Sequence, residues 1–120
     1  MFELTREEIQ GIYILLTNIF AWRIFHPVIV SFGDRETEKI WNGDYSRKLP
    51  TGIQESALTK LRILNAAVRL DNLLVPPGNR LEALKGQRKG QHSIRINRQW
   101  CICFIWSGGN ADQVEIVDYH

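Results

Sequence analysis

The feature that most narrows what this chain can fold into is a change of hydrophobic period at one place. Before Pro76, Pro77, Gly78 and Asn79, the residues Ala57, Leu61, Leu64 and Val68 recur at i, i+4, i+7 and i+11. That is the stripe of an amphipathic helix. After the prolines, Gln91 to Asn97 alternates, with His92, Ile94 and Ile96 on one face and Gln91, Ser93 and Arg95 on the other. That is the period of a strand. A Pro-Pro-Gly run cannot continue a helix. Helices first and an antiparallel meander second make an α+β domain.

The pattern predicts further elements. Thr51 and Gln54, just after Pro50, have capping-box spacing and start a helix expected over about Ile53 to Leu73. Val28 to Phe32 is short, apolar and β-branched, and reads as a strand. Asp34 to Trp41 is charged with helical spacing, and Asn42, Gly43 and Asp44 break it. Trp100 to Trp106 is apolar on both faces, as a central strand is. Ser107 to Asn110 is a turn, and Val114 to Val117 is the last strand.

Upstream, Thr5 and Glu8 also have capping-box spacing, and Ile9, Ile12, Leu16 and Ile19 follow at helical intervals until Pro27. The apolar run Gly11 to Phe25 is shorter than the roughly 20 residues that span a bilayer. It holds Asn18 and Arg23 and follows Glu3, Glu7 and Glu8, whereas a secretory signal starts basic. A packing helix is expected, with an interfacial anchor or a leader added by an upstream start codon as the alternatives.

The chain has 120 residues, which suits one compact domain. Its 15 Lys and Arg against 13 Asp and Glu leave a net charge of +2, too small to argue for nucleic acid by itself. The distribution argues more. Arg80, Lys85, Arg88, Lys89, Arg95 and Arg98 fall within one stretch whose single acid is Glu82. Such a cluster is either a solvated surface rich in lysine and arginine or a site that binds the phosphates of RNA or DNA with a steep salt dependence. Gly86 and Gly90 bracket Arg88 and Lys89, so the backbone there can turn tightly against a ligand.

Cys101 and Cys103 are two apart on the central strand and read as reduced thiols of a cytosolic protein. There is no CxxC pair and no HExxH, so a structural zinc site is not expected. The chain finishes Asp118, Tyr119, His120, an acid, a phenol and an imidazole directly after a predicted strand. Imidazole titrates near neutrality and suits acid–base work. His92 shares a face with Ile94 and Ile96, and if that face is the core it is a structural histidine; Arg95 lies on the opposite face, where a phosphate ligand belongs.

Four runs carry a specific resemblance: Arg80-Leu81-Glu82-Ala83-Leu84-Lys85-Gly86, Gly90-Gln91-His92-Ser93-Ile94-Arg95-Ile96-Asn97, Gln99-Trp100, and Val114-Glu115-Ile116-Val117-Asp118-Tyr119-His120. The chain from about Val28 to His120 resembles the HigB toxins, the plasmid maintenance system killer branch of the RelE superfamily. The resemblance implies a RelE-like domain over 28–120 and a helical extension over 1–27, which looks like the product of an upstream start. It also implies a cytoplasmic, metal-independent and cofactor-free endoribonuclease that enters the ribosomal A site and cuts translated mRNA. The implied partners are the ribosome, its mRNA and a cognate helix-turn-helix antitoxin similar to HigA, with no membrane.

The site residues follow from the same resemblance. Lys85 and Arg95 would stabilise the phosphate, His120 and Tyr119 would transfer or position protons, and Asp118 would orient His120 or bind messenger. Arg80, Lys85, Arg88, Lys89 and Arg98 would hold the RNA backbone. Two positions depart from the family pattern. Cys101 stands where many members carry an active-site arginine, and Glu82 stands where others have histidine. A missing transition-state cation costs roughly 100- to 1000-fold in rate, so attenuated cleavage is expected, with Arg98 the candidate to reach in. The alternative is a catalytically weak homologue that binds its antitoxin and acts in operon autoregulation.

Overall fold

A computed structural model of the protein describes residues 3–11 and 27–119. Helix α1 spans Arg35–Trp41 and helix α2 spans Thr51–Ala66. Four strands follow: β1 (Glu82–Ala83), β2 (His92–Arg95), β3 (Trp100–Ser107) and β4 (Asn110–Asp118). They form one antiparallel sheet in the order β1-β2-β3-β4. The α+β layout expected from the change of period is the one observed. No helix among the described residues is long and apolar enough to cross a membrane.

The core lies between the helices and one face of the sheet. Leu61, Leu64, Ile94, Ile102, Phe104 and Val114 are fully buried there, and α1 and α2 touch each other and β4, with α2 also reaching β3. The strand period then sends the odd-numbered side chains of β2, of β3 and, after the irregularity at Gln113, of β4 to the other face, whereas Ala111 before it is buried in the core. Register places Arg95, Cys101 and Val117 in one cross-strand row, and Glu82, Ser93, Cys103 and Glu115 in the next.

Helix α1 begins where expected because Asp34 Oδ1 accepts the Thr37 N–H at 2.8 Å. Thr37 is itself buried, and its Oγ1 accepts the Ile116 N–H at 2.8 Å, tying α1 to β4. Thr37→Val keeps the shape and orphans that amide. The expected cost is about 1–3 kcal/mol, read as a lower denaturant midpoint; a change within error would mean that the amide finds another partner.

Helix α2 differs from expectation at both ends. Its N-cap is Pro50 without a side-chain cap. Gln54 turns away from Thr51 and instead accepts from Ser46 N at 3.0 Å and donates to Ser46 O and Leu49 O. The helix stops at Ala66, seven residues before Leu73, because the Asn72 carboxamide oxygen accepts both the Val68 and Arg69 amides. Val68 is consequently 63% exposed and leaves the predicted stripe. Leu70–Leu74 then forms a separate 3-10 turn.

The predicted strand over Val28 to Phe32 is present only as two parallel bridges to β4, Ile29 with Ala111 and Phe32 with Val114. Gln113 interrupts the ladder at a φ of 49°, and its amide donates to Ser31 Oγ at 2.8 Å. β4 itself begins at Asn110, four residues before expectation, because the Gly108-Gly109 turn closes a full hairpin with β3.

The Thr5 and Glu8 capping box is present, with both reciprocal bonds at 3.0 and 3.1 Å and helix over 6–11. The remaining apolar positions of that predicted helix, Ile12, Leu16 and Ile19, lie outside the described residues.

Candidate functional site

The sheet face opposite the core borders two adjoining hollows. The narrower one is lined by Arg80, Arg95, Cys101 and Tyr119 among others. The wider one, about 530 Å³, is lined by Lys85, Arg88, Cys103, Val117 and Tyr119. Glu82 and Tyr119 border both, so the hollows share a wall. Each cation arrives by a definite route. Arg95 projects from β2, on the face away from Ile94, as the alternation requires. Arg80 follows the 3-10 turn Pro77–Asn79 in a left-handed conformation, φ 44° and ψ 57°. That turn is fixed from below by buried Asn79, whose amide donates to Leu73 O and Val75 O and whose oxygen accepts from Lys60.

Lys85 and Arg88 sit on the loop between β1 and β2. Gly86 and Gly90, at φ 66° and 95°, supply the two left-handed turns that fold this loop over the sheet. Arg88 does not project freely. Its Nη1 donates to Glu115 Oε1 at 2.6 Å and to Gln91 Oε1 at 3.0 Å, and the bond to Glu115 raises its pKa further. Arg80, Lys85 and Arg95 make no ion pair among the described residues. Arg95 is half-buried, whereas Arg80 and Lys85 are exposed, and a half-buried cation without a carboxylate partner in a hollow is a place for an anion.

Of the residues named from the sequence, Arg80, Lys85, Arg88, Arg95 and Tyr119 are brought to this one face. Lys85 and Arg95 fall in different hollows, with Tyr119 bordering both. Asp118 is exposed, faces Trp100 across the ladder and accepts from Gln99 Nε2 at 3.1 Å. Lys89 and Arg98 are exposed and line neither hollow. Arg98 therefore does not reach in beside Cys101; it sits in the turn after β2, while Arg80 takes the place beside Arg95. His120 lies outside the described residues. His92 stacks on Phe104 at 6.3 Å with its Nδ1 buried and unbonded, away from the hollows, a packing histidine as its face implies.

Glu115, which holds Arg88 at the hollow, is a residue to which motif and charge pattern assign no role. It lies two positions before Val117 and four before Tyr119, so alternation alone places all three on one face. The floor between the hollows is formed by Cys101 and Cys103, both free thiols, with sulfurs 3.7 Å apart. The neighbouring thiol and burial push the Cys101 thiol up, whereas the bond accepted from Cys101 and the Arg88 charge draw Cys103 down.

Comparison with known proteins follows the same residues. The HigB-like toxin family model, described as the RelE-like toxin of the type II toxin–antitoxin system HigB, matches residues 30–120. Toxin HigB-1 of Vibrio cholerae serotype O1 is 40% identical over 83 residues, 68% of this chain and 87% of the relative. An uncharacterized protein of Haemophilus influenzae is 29% identical over 72 residues, 60% of this chain and 71% of its own length. The matched span takes in both helices, the whole sheet and the cationic hollows, and on that breadth the chain belongs to the HigB-like family of RelE-like toxins from type II toxin–antitoxin systems.

Proposed function

We propose that the protein is a ribosome-dependent endoribonuclease that cuts translated mRNA in the cytoplasm without a metal, held inactive by a helix-turn-helix antitoxin. We place the toxin domain at residues 28–120, since Val28 already bonds to Ala111 of β4, and 1–27 as an extension to it. The observation that carries the reading is Tyr119 standing between two cation-lined hollows. Cleavage by attack of a ribose 2′-hydroxyl on the adjacent phosphate needs a proton taken from that hydroxyl, charge neutralised at the phosphate, and a proton given to the leaving 5′-oxygen. Lys85 and Arg95, helped by Arg80, supply the positive charge. Tyr119 and His120 handle or position protons, each such group contributing ~100- to 10,000-fold. Asp118 orients His120 or the messenger.

Arg88, Lys89 and Arg98 hold RNA and ribosomal phosphates outside the reacting centre, which positions the strand without reading its sequence. Induction of the toxin without antitoxin, followed by mapping of mRNA 5′ ends, tests the reading. Cuts within translated codons that vanish when translation is blocked are the expected result; intact messages with antitoxin binding retained would overturn it. That second outcome is the binding-module reading. It is favoured by two particulars, the thiol at position 101 and the carboxylate of Glu115 already holding Arg88.

A further inference from the structure

We propose that Cys101 and Cys103 form a two-thiolate site for a thiophilic divalent d10 ion, of the zinc and cadmium kind, on the floor between the two hollows. Both residues project from β3 to the same face, and Cys101 lines the narrow hollow while Cys103 lines the wide one. Their sulfurs are 3.7 Å apart. Two metal–sulfur bonds of about 2.3 Å meeting at a tetrahedral angle place their sulfurs about 3.8 Å apart. The pair is thus spaced as two corners of one tetrahedron before any ion arrives.

The same backbone that sets this spacing opposes a disulfide. Residues two apart on a strand have Cα atoms about 6.6–6.8 Å apart, at the far limit of what a disulfide spans. The dithiol is consequently preserved as a chelator. Binding forms two sulfur–metal bonds and releases two thiol protons to water. Two thiolates and a divalent ion sum to zero charge, so the Arg88 guanidinium that borders the wide hollow with Cys103 does not expel the ion. No third His, Cys, Asp or Glu completes the set among the described residues. Both cysteines are nearly buried and each borders one hollow, so the other two corners would be filled by water or by an oxygen donor of a ligand entering from the hollows. Such a site differs from the closed four-ligand zinc sites that hold folds together, and it needs no CxxC spacing.

The test is titration of the reduced, full-length protein with cadmium chloride, following the near-ultraviolet charge-transfer band of cadmium–thiolate bonds. The expected result is saturation at one ion per chain, with an absorbance per ion twice that of a single-thiolate complex, reversed by excess EDTA. Cys101→Ser and Cys103→Ser are each expected to weaken binding by about 100-fold or more, since the second thiolate acts as a tethered ligand. No saturable band, or an absorbance of one thiolate per ion in the unmodified protein, overturns the proposal without recourse to any variant. Equal affinity in either folded serine variant overturns it too. The readout needs no RNA cleavage, so it stands or fails apart from the proposed nuclease activity.

Discussion

Alanine in place of Arg95 is expected to lower ribosome-dependent mRNA cleavage by about 100- to 1000-fold, the usual loss when one positioned group that stabilises transition-state charge is removed. Arg95 is central to the proposed anion site. It is half-buried, it lines the narrow hollow beside Arg80 and Tyr119, and it makes no ion pair among the described residues. No carboxylate partner among those residues loses its counter-charge in the variant, so folding stability should change by less than about 1 kcal/mol. The measurement is cleavage of a translated message in a reconstituted system, alongside a denaturant melt. A folded Arg95→Ala protein that cuts at the original rate removes Arg95 from the chemistry. An Arg88→Ala variant makes the contrast. Arg88 is already engaged by Glu115, so its loss should weaken RNA binding modestly and flatten the salt dependence, with little change in the chemical step.

The second large effect runs the other way. Cys101→Arg is expected to raise cleavage by roughly 10- to 100-fold and to deepen growth arrest on induction, as a further cation enters the hollow of Arg80 and Arg95. The gain is smaller than the full loss expected at Arg95 because Arg80 already supplies charge beside it. Arginine is much larger than cysteine, and Cys101 is buried against Cys103. Overpacking should therefore cost about 1–3 kcal/mol of stability, less if the side chain escapes into the hollow. Growth arrest and cleavage that stay at the level of the unchanged protein would show that Cys101 does not attenuate the enzyme.

Much of this architecture is legible in the amino-acid order itself, for a physical reason. Periodicity reports which side chains face the core, and both the stripe Ala57, Leu61, Leu64 and the alternation His92, Ile94, Ile96 do so here. What escapes it is decided by polar side chains acting over short distances. Asn72 ends α2 by taking the Val68 and Arg69 amides, and Gln54 serves Ser46 and Leu49 in place of a capping box. Neither choice leaves a trace in hydrophobic pattern.

The site is legible in part for a different reason. Family resemblance names Arg80, Lys85, Arg88, Arg95 and Tyr119, which the fold gathers, together with Lys89 and Arg98, which it leaves at the surface. Charge counting cannot separate the two sets of cations, because all are basic residues of one stretch. Which of them border the hollows depends on strand parity for Arg95, on the left-handed turn at Arg80, and on Glu115 for Arg88. Glu115 is distant in sequence, and only the β3–β4 register brings it near.

The bridges from Ile29 and Phe32 to β4 tie the opening of the matched region to its closing strand. A chain emerging from the ribosome makes its helices long before it makes Ala111 and Val114, so the first segment waits without its neighbour. The sheet face that carries the two hollows is therefore not complete until synthesis is nearly over, since Val117 and Tyr119 border them. On the proposed function, a cell that translates such a protein is spared a working nuclease on the nascent chain, and the interval in which an antitoxin must be at hand begins only at release.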